Sequence, residues 1–259
     1  MLPDSRRRKI IEQVREHDGC SVTELADRLG FSKATIRRDL RDLDAEGLIE
    51  RSHGGAVPTK TIGRERSYDQ REIRNLNAKT AIGERAAGEI DAGAIVFFDA
   101  GTTTMEAARA APEDEDFLAV TNSPLCALEL GEDDREVKLT GGTLRPRTQA
   151  LVGPSAEGFI ERIHVDLLFL GTNAIDAERG LTTPNEDEAR VKQLMVEHAE
   201  RVVLLADSSK LGERSFVGFA DLADLDLFCT DADLDGEYRN FEQAFAESGV
   251  DVESVGGKT

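Results

Sequence analysis

Apolar residues in the first 45 positions recur at the three- and four-residue spacing of amphipathic helices, in three short segments. The first predicted helix covers residues 6–18, and Gly19 follows it as a stop signal. The second begins at Ser21-Val22-Thr23-Glu24, a capping box in which the Ser and Glu side chains satisfy free amides of the first turn. The third follows Gly30, with Ser32 as its expected cap, and carries the apolar stripe Ile36, Leu40 and Leu43.

The third predicted helix carries cations away from its apolar stripe. At about 100° per residue, Arg38 and Arg41 fall opposite the stripe and Arg37 flanks them. Two short helices joined by a tight turn form a helix-turn-helix, whose second helix enters the DNA major groove. Residues 47–51 and 56–57 then flank a turn with two glycines, which predicts a β-hairpin. This order of elements predicts a winged helix-turn-helix over residues 1–57.

Eight residues of this predicted domain are candidates for contact with double-stranded DNA. They are Ser32, Lys33, Thr35, Arg37, Arg38, Arg41, Arg51 and His53. Side chains near the start of a recognition helix touch base edges or adjacent phosphates, and the sequence leaves open which role each would take. A solvated helix face is the alternative for each arginine alone. The assembled order of cap, turn, cationic helix and glycine wing favours DNA binding.

Residues 58–78 are predicted as a linker, and residues 79–259 as an α/β domain. Six short apolar runs alternate there with helical sequence, at residues 94–98, 117–120, 137–139, 167–170, 202–206 and 225–229. Continuous apolar strands alternating with helices predict a mostly parallel sheet that is covered on both faces. Because such sheets bind ligands outside the carboxyl ends of their strands, function is expected in the loops at those ends.

The loop after the first of these strands has the composition of an anion site. It is Asp99-Ala100-Gly101-Thr102-Thr103-Thr104, and it continues into a predicted helix. Free amides and the helix dipole favour phosphate at such a position, and the hydroxyls can donate further hydrogen bonds. Capping of the helix by threonine is the alternative. Asn122, Gly141-Gly142 and Lys210 occupy later loops of the same kind, which together predict a polar crevice.

Residues 185–195 predict a helix capped by Asn185, with Glu188 and Lys192 one turn apart. One interpretation is an ion pair on the helix surface, worth about 0.3–0.5 kcal/mol. The other points Glu188 at sugar hydroxyls and Lys192 into the crevice. Lys210 is open to the same two interpretations, a structural ion pair or a crevice residue.

Net charge initially argues against a nucleic-acid partner. The 259 residues include 32 Lys plus Arg and 51 Asp plus Glu, a formal charge of -19, and polyanions repel acidic proteins. Residues 1–66 nevertheless carry 14 basic and 12 acidic side chains, so the net negative charge lies downstream of the predicted DNA-binding domain. Abundant acid with 8 Lys against 24 Arg resembles the proteins of salt-loving archaea. At about 1 M salt the Debye length is about 3 Å, which screens self-repulsion; an ordinary acidic surface is the alternative.

Other classes of protein are disfavoured. No apolar run approaches the length of a membrane span, and the Arg-rich start lacks a signal peptide's apolar stretch, so a cytoplasmic protein is expected. Cys20, Cys126 and Cys229 are too far apart in sequence for a Cys-x-x-Cys motif, and a disulfide framework is not indicated. The four histidines fit no repeated spacing, so we expect neither a metal ion nor a cofactor.

The pattern resembles the DeoR family of sugar-responsive bacterial and archaeal regulators. The resemblance is carried by residues 22–26, 32–40, 53–56, 98–103, 121–123, 139–142, 151–154, 188–192 and 205–210. It implies a winged helix followed by a sensor domain similar to ribose-5-phosphate isomerase. In the family this domain binds a phosphorylated sugar or polyol, and binding relieves repression.

Transferred residue by residue, the resemblance places a phosphate at Gly101, Thr102, Thr103 and Thr104. It places Asp99, Glu188, Lys192 and Lys210 around the sugar. It thus implies a repressor of sugar or glycerol catabolism genes that acts as a homo-oligomer, a dimer or a tetramer, on operator DNA. The alternative is a sugar-phosphate isomerase with an appended DNA-binding domain, in which Asp99 or Glu188 is the general base. The absence of a metal-ligand cluster or a catalytic triad pattern in the sequence counts against that alternative.

Overall fold

The computed structural model describes residues 3–17, 19–45, 48–52, 54–57, 66–132, 135–236 and 238–255. The chain forms two compact units, Met1–Ile62 and Gly63–Thr259. Residues 18, 47 and 53, to which the sequence assigns a helix end, a strand start and a DNA contact, lie outside the described residues.

The first unit is a winged helix-turn-helix, as predicted. Its elements in chain order are α1 (Pro3–Glu16), β1 (Cys20–Ser21), α2 (Val22–Leu29), α3 (Lys33–Ala45), β2 (Glu50–Ser52) and β3 (Gly55–Val57). The three strands form an antiparallel sheet in the order β1-β3-β2. The capping box of Ser21 and Glu24 is confirmed, and α2 ends at Gly30 in the left-handed conformation that glycine adopts without strain.

The core of this unit is built from the predicted apolar stripes. Ile10 and Val14 of α1 pack with Leu25 of α2 and with the stripe of α3, all of them buried. Burial of this stripe fixes which side of α3 faces the protein, so the opposite side faces solvent.

The second unit begins with two helices and continues as an α/β domain. Its helices are α4 (Tyr68–Glu72), α5 (Leu76–Ala87), α6 (Thr102–Arg109), α7 (Pro124–Leu130), α8 (Pro154–Ile160), α9 (Glu186–Glu197) and α10 (Arg239–Ser248). Short 3-10 helices cover Ser208–Lys210 and Leu222–Asp224. The strands are β4 (Ile95–Phe98), β5 (Leu118–Thr121), β6 (Val137–Leu139), β7 (Thr143–Arg145), β8 (Ala150–Val152), β9 (Val165–Gly171), β10 (Ala174–Asp176), β11 (Gly180–Thr183), β12 (Ala199–Leu205), β13 (Val217–Ala220), β14 (Leu227–Thr230) and β15 (Asp251–Ser254).

A parallel sheet of seven strands organises this unit, in the order β15-β14-β12-β9-β4-β5-β6. The six apolar runs of the sequence all form strands of this sheet, as predicted. β15 was not predicted, because its sequence Asp-Val-Glu-Ser has one apolar residue. It lies at an edge of the sheet, where strands often carry charged side chains.

Neighbouring residues along each strand enter two different cores. Phe97 belongs to a cluster with apolar residues of α8, α9 and α10, whereas Phe98 belongs to a cluster with those of α5, α6 and α7. This alternation follows from the two-residue period of a strand and gives a sheet with helices on both faces.

Strand order reverses between β4 and β9. From β4 the chain proceeds outward through β5 and β6, then returns to β9 on the other side of β4 and proceeds through β12, β14 and β15. Such a switch point opens a crevice at the carboxyl ends of the two central strands, which is where α/β sheets bind ligands.

Part of the segment predicted as a linker belongs to the second unit. Residues 58–65 lie outside the described residues, but Tyr68 of α4 is buried and its backbone N–H donates to the carbonyl of Arg147 at 2.8 Å. A hairpin of β7 and β8 and a small sheet in the order β10-β11-β13 complete the unit.

Candidate functional site

The exposed side of α3 carries the candidate DNA contacts. Ser32 caps the helix, since its hydroxyl accepts from the backbone N–H of Thr35 at 3.2 Å and lies 2.9 Å from the Thr35 hydroxyl. Lys33, Arg37 and Arg38 are exposed and form no ion pair with any residue that the structure describes. Arg41 is exposed, with its Nε 3.8 Å from an oxygen of Asp42.

Three ion pairs join α1 to α3, between Arg6 and Asp39, Arg7 and Asp39, and Arg7 and Asp42. The carboxylate of Asp39, 2% exposed, receives two hydrogen bonds from the guanidinium of Arg6, and Arg7 donates to Asp42 at 2.7 Å. The carboxylate on the inner side of α3 is therefore already neutralised, which leaves the arginines on the outer side available to DNA phosphates.

The wing approaches the body of the domain through a glycine. A Cβ at Gly55 would lie 2.2 Å from the carbonyl oxygen of Cys20, so only glycine fits where β3 pairs with β1. Arg51 on β2 is exposed, and its backbone N–H donates to Asp44 at 3.2 Å. The candidate contact His53 lies outside the described residues.

A pocket in the second unit lies at the switch point between β4 and β9. About 610 Å³ of space there is free of protein atoms, a volume that includes space open to solvent. Its lining includes six cationic residues, namely Arg66, Arg71, Arg74, Lys79, Lys192 and Lys210. Two acidic residues, Glu188 and Asp207, also line it.

The N-terminus of α6 forms one wall of this pocket. Its N-cap residue is Gly101, which has no side chain with which to cap the amides of the first turn. Thr102 and Thr103 are buried and line the pocket, so their amides and hydroxyls surround a position suited to an anion.

Thr104, which also lines the pocket, and Asn122, which does not, hold this loop through hydrogen bonds. The hydroxyl of Thr104 donates to the carbonyl of Asp99 at 2.6 Å, and the side-chain oxygen of Asn122 accepts from the N–H of Ala100 at 2.8 Å. Both side chains therefore fix the conformation of the loop between β4 and α6.

Asp99 joins three elements at the floor of the site. It is 1% exposed, and its Oδ2 accepts from the N–H of Gly171 at 2.9 Å and from the ammonium of Lys192. Lys192 also donates to the carbonyl of Gly171 at 2.8 Å. Burial raises the pKa of Asp99, and the charge of Lys192 opposes that shift. The other carboxylate oxygen, Oδ1, has no hydrogen-bond partner among the described residues.

Glu188 is held by the β7–β8 hairpin. Its carboxylate accepts from Arg145 and from the hydroxyl of Thr148, while Asn185 caps α9 as predicted. The interpretation of Glu188 and Lys192 as a surface ion pair is wrong. Both side chains are buried, and each binds a partner distant in sequence.

Four cations of the pocket were missed by the sequence analysis, because they lie in or next to the predicted linker. Arg66, Arg71, Arg74 and Lys79 come from residues 66–79. Lys79 is 3% exposed and donates to the carbonyl of Arg71. Residues 63–79 contain five basic and three acidic residues in an otherwise acidic half of the chain. That local excess of positive charge was the available signal.

Asp207 lies near these cations and forms no ion pair with any residue in the described ranges. Its carboxylate accepts from the N–H of Ser209 at 3.1 Å and from the amide of Asn75 at 2.7 Å. Asn75 has a φ of 52°, a left-handed conformation that Asn tolerates, and this turn directs its side chain to Asp207. Burial alone would raise the pKa of Asp207, but contacts with Ser209, Lys210 and Asn75 hold it below its ordinary value.

The remaining candidates lie at different places. Lys210 lines the pocket, and the described part of the chain gives its ammonium no ion pair; burial lowers the pKa of this side chain. Gly141 and Gly142 follow β6, at the outer end of the sheet, and do not line the pocket.

Among the described residues we find no His, Cys, Asp or Glu cluster arranged for a metal ion. None of the described helices is long and apolar enough to cross a bilayer. Cys20, Cys126 and Cys229 are buried, and no disulfide joins any of them to another described residue.

A winged helix with an exposed cationic helix, joined in one chain to an α/β domain with a polar pocket, defines a DNA-binding regulator with a ligand-sensing domain. The chain belongs to the DeoR family. Residues 6–61 match the DeoR-like helix-turn-helix domain, and residues 74–232 match the DeoR C-terminal sensor domain.

Two relatives illustrate the match. The chain is 64% identical over 239 residues to the HTH-type transcriptional regulator GlpR of Haloferax volcanii, which covers 92% of this chain and 94% of that protein. It is 36% identical over 254 residues to the putative aga operon transcriptional repressor of Escherichia coli O157:H7, with 97% and 93% covered. The chain is therefore a transcriptional regulator, and the alternative of an isomerase with an appended DNA-binding domain is set aside.

Solved structures give weaker likenesses. Ribose 5-phosphate isomerase from Methanocaldococcus jannaschii superposes with a TM-score of 0.40 at 15% identity, covering 53% of this chain and 55% of that one. The sorbitol operon regulator SorC from Klebsiella pneumoniae has a TM-score of 0.38 at 12% identity, covering 80% and 90%. Likenesses at this level carry no argument about ligands.

Proposed function

We propose that the chain represses genes of sugar or glycerol catabolism and releases its operator when a phosphorylated sugar binds the pocket. One observation carries this proposal. The pocket combines an uncapped helix N-terminus with six cationic residues, in a chain whose net charge is -19. So strong a local excess of positive charge in an acidic protein favours an anionic ligand.

The phosphate is assigned to the amides of α6 and the hydroxyls of Thr102 and Thr103. Lys192, Lys210 and Glu188 line the same pocket and face the rest of the ligand. Asp99, Thr104 and Asn122 act by fixing the loop and the position of Lys192.

DNA contact is assigned to the exposed side of α3 and to the wing. The residues are Ser32, Lys33, Thr35, Arg37, Arg38, Arg41, Arg51 and His53. Each copy of the chain binds one half-site, so a homo-oligomer, a dimer or a tetramer, requires a roughly palindromic operator. The ligand must bind one arrangement of the assembly better than the other, and this difference in affinity shifts DNA binding.

The solvent in which this takes place is a salt-rich cytoplasm. The composition, with 51 acidic residues and 8 lysines, supports this, as does a 64% identical relative from Haloferax volcanii. A DNA-binding regulator acts in the compartment that contains its DNA, which supports a cytoplasmic location.

The test is operator binding by the full-length protein in potassium chloride, with and without sugar phosphates. The operator is first selected from random duplex DNA, and fructose 1-phosphate, fructose 6-phosphate and glycerol 3-phosphate are then added. We expect at least one to lower the affinity for DNA, and Thr103→Val to abolish that response. Arg162→Gln, an exposed arginine outside the pocket, serves as the matched control and should respond like the wild type. If a wide panel of phosphorylated sugars leaves DNA affinity unchanged, the proposal is wrong.

A further inference from the structure

The edge strand β6 has an open side. It lies at one end of the seven-stranded sheet, and β5 is the strand that pairs with it among the described residues. The backbone N–H of Thr140 donates to the carbonyl of Thr121 in β5 at 3.1 Å. Because the backbone groups of a strand point alternately to its two sides, those of Lys138 also face β5, whereas those of Val137 and Leu139 face away from it. Outward N–H and C=O groups of this kind can pair with a further strand.

The side chains of β6 are more exposed than those of the strands inside the sheet. β4 and β5 bury their last three residues, whereas Lys138 and Leu139 of β6 are exposed and Val137 is half-buried. Leu128 is 71% exposed on α7, the helix that packs on β5 and β6. This end of the sheet therefore combines an open backbone edge with exposed apolar side chains, a combination that favours pairing with another chain.

Opposite charges flank Val137 on one face of the edge. Glu136 and Lys138 are two residues apart, so their side chains leave the same face of the strand, and both are exposed and bound to each other. In an antiparallel pair of two β6 strands with the two-fold axis at Val137, Glu136 of each copy lies directly opposite Lys138 of the other. The edge is thus complementary in charge to itself.

The backbone selects the same register. With the axis at Val137, the outward N–H and C=O groups of the two Val137 residues face each other and form a hydrogen-bonded pair. Glu136 and Lys138 then occupy the neighbouring non-hydrogen-bonded positions, where the Cα atoms approach to about 4.5 Å and the side chains lie closest. Hydrogen bonding and charge, which are independent requirements, therefore agree on one register.

We propose that the open edge of β6 is the contact between two copies of this chain, which pair antiparallel about Val137 and join their parallel sheets into one. A dimer of this kind has a two-fold axis, the symmetry of a palindromic operator. The inference rests on the proposed function, which requires a homo-oligomer, and it specifies the surface through which the copies meet.

The first test is sedimentation of the full-length protein in potassium chloride over a series of concentrations. Val137→Pro removes an outward N–H, which an edge strand tolerates on its open side. Val252→Pro is the matched control on β15. Val252 is also half-buried, and its neighbour Asp251 donates to Asp226, so the N–H of Val252 faces away from β14. We expect Val137→Pro to halve the mass of the assembly and Val252→Pro to leave it unchanged.

Charge reversal tests the register. Glu136→Lys or Lys138→Glu places like charges opposite each other twice in the dimer. Each should raise the dissociation constant at least about tenfold, which corresponds to about 1.4 kcal/mol. The double variant Glu136→Lys/Lys138→Glu restores opposite charges and should dissociate like the wild type. Asp251→Lys, a reversal of an exposed charge on β15, is the control and should have no effect. The lowest potassium chloride concentration that keeps the protein folded gives the largest differences.

Thermal unfolding verifies that each variant is folded, and the charge series decides where a proline variant is not. An unchanged mass for folded Val137→Pro, equal effects of the two proline variants, or no recovery in the double charge variant would overturn the inference. The homo-oligomer would then meet through another surface, and the proposed function would stand. A wild-type protein that stays monomeric while it binds its operator would remove both the contact and the proposed homo-oligomer. Release by sugar phosphates is measured separately, in the operator assay.

Discussion

The ammonium of Lys192 binds the carboxylate of Asp99, two residues 93 positions apart in the chain, at the floor of the pocket. The pair joins α9 to the end of β4, and the backbone of Gly171 on β9 binds both partners. The pair therefore links a helix and two strands at the floor of the pocket.

Removal of one partner should be far more harmful than removal of both. Asp99→Asn or Lys192→Met leaves one buried charge without its counterion, which we expect to cost about 3–5 kcal/mol of unfolding free energy. The double variant Asp99→Asn/Lys192→Met should recover part of that loss. Urea denaturation of all four proteins measures the coupling, and additive losses would show that the pair is unimportant.

Close packing of α5 on α6 depends on a glycine. A Cβ at Gly83 would lie 2.5 Å from the backbone carbon of Glu106, so Gly83→Ala must push the two helices apart. We expect a loss of about 1–3 kcal/mol of unfolding free energy. Gly158→Ala in α8 is the control, because nothing lies within 4 Å of the added methyl. There the substitution should stabilise by about 0.4–1 kcal/mol. Equal effects of the two substitutions would contradict this account.

Lys79 makes stability depend on pH. Its pKa is about 8 in the folded protein against an ordinary 10.5, so the unfolded chain binds more protons between these values. Its contribution to the free energy of unfolding should therefore rise as pH increases from about 8 towards 10.5. Urea denaturation at pH 7.5, 8.5 and 9.5 should show wild type gaining stability relative to Lys79→Met. Parallel curves for the two proteins would refute the assignment.

The recognition helix can be tested through salt dependence. An arginine that contacts a phosphate should, when changed to Gln, reduce the slope of log affinity against log salt by about 1. One that contacts a base edge should cost about 1–3 kcal/mol with the slope unchanged. Arg37→Gln and Arg38→Gln, compared with Arg162→Gln in potassium chloride, distinguish these roles.

The same titration tests adaptation to salt. Counterion release from about 6 phosphates gives a slope of log affinity against log salt near -5. In a salt-rich cytoplasm this contribution to the affinity would be largely lost. We expect base-edge and nonpolar contacts to carry more of the affinity here, with a shallow decline between 1 and 3 M salt. A steep decline over that interval would count against this expectation.

Local signals made the winged helix and the strands predictable. The capping box at Ser21 and the apolar runs of the sheet depend on residues that are close together in sequence, and the structure confirms them. Their chain order also placed the loop of residues 99–104 at the end of β4.

The interaction partners of the site residues could be identified only from the tertiary structure. Spacing alone paired Glu188 with Lys192, but their partners Arg145 and Asp99 are 43 and 93 residues away. Arg71 and Arg74 escaped notice for the same reason, since nothing local shows that α4 and the turn after it approach the switch point.

β15 is one of the two edge strands of the seven-stranded sheet. Among the described residues it pairs with β14 alone, and it carries the carboxylates of Asp251 and Glu253, the latter bound to Arg85. A second copy of the chain that offered the same edge would bring like charges together. Strand-to-strand growth into a continuous sheet, the first step of aggregation, is therefore opposed at this border by the charged side chains that edge strands carry against such pairing.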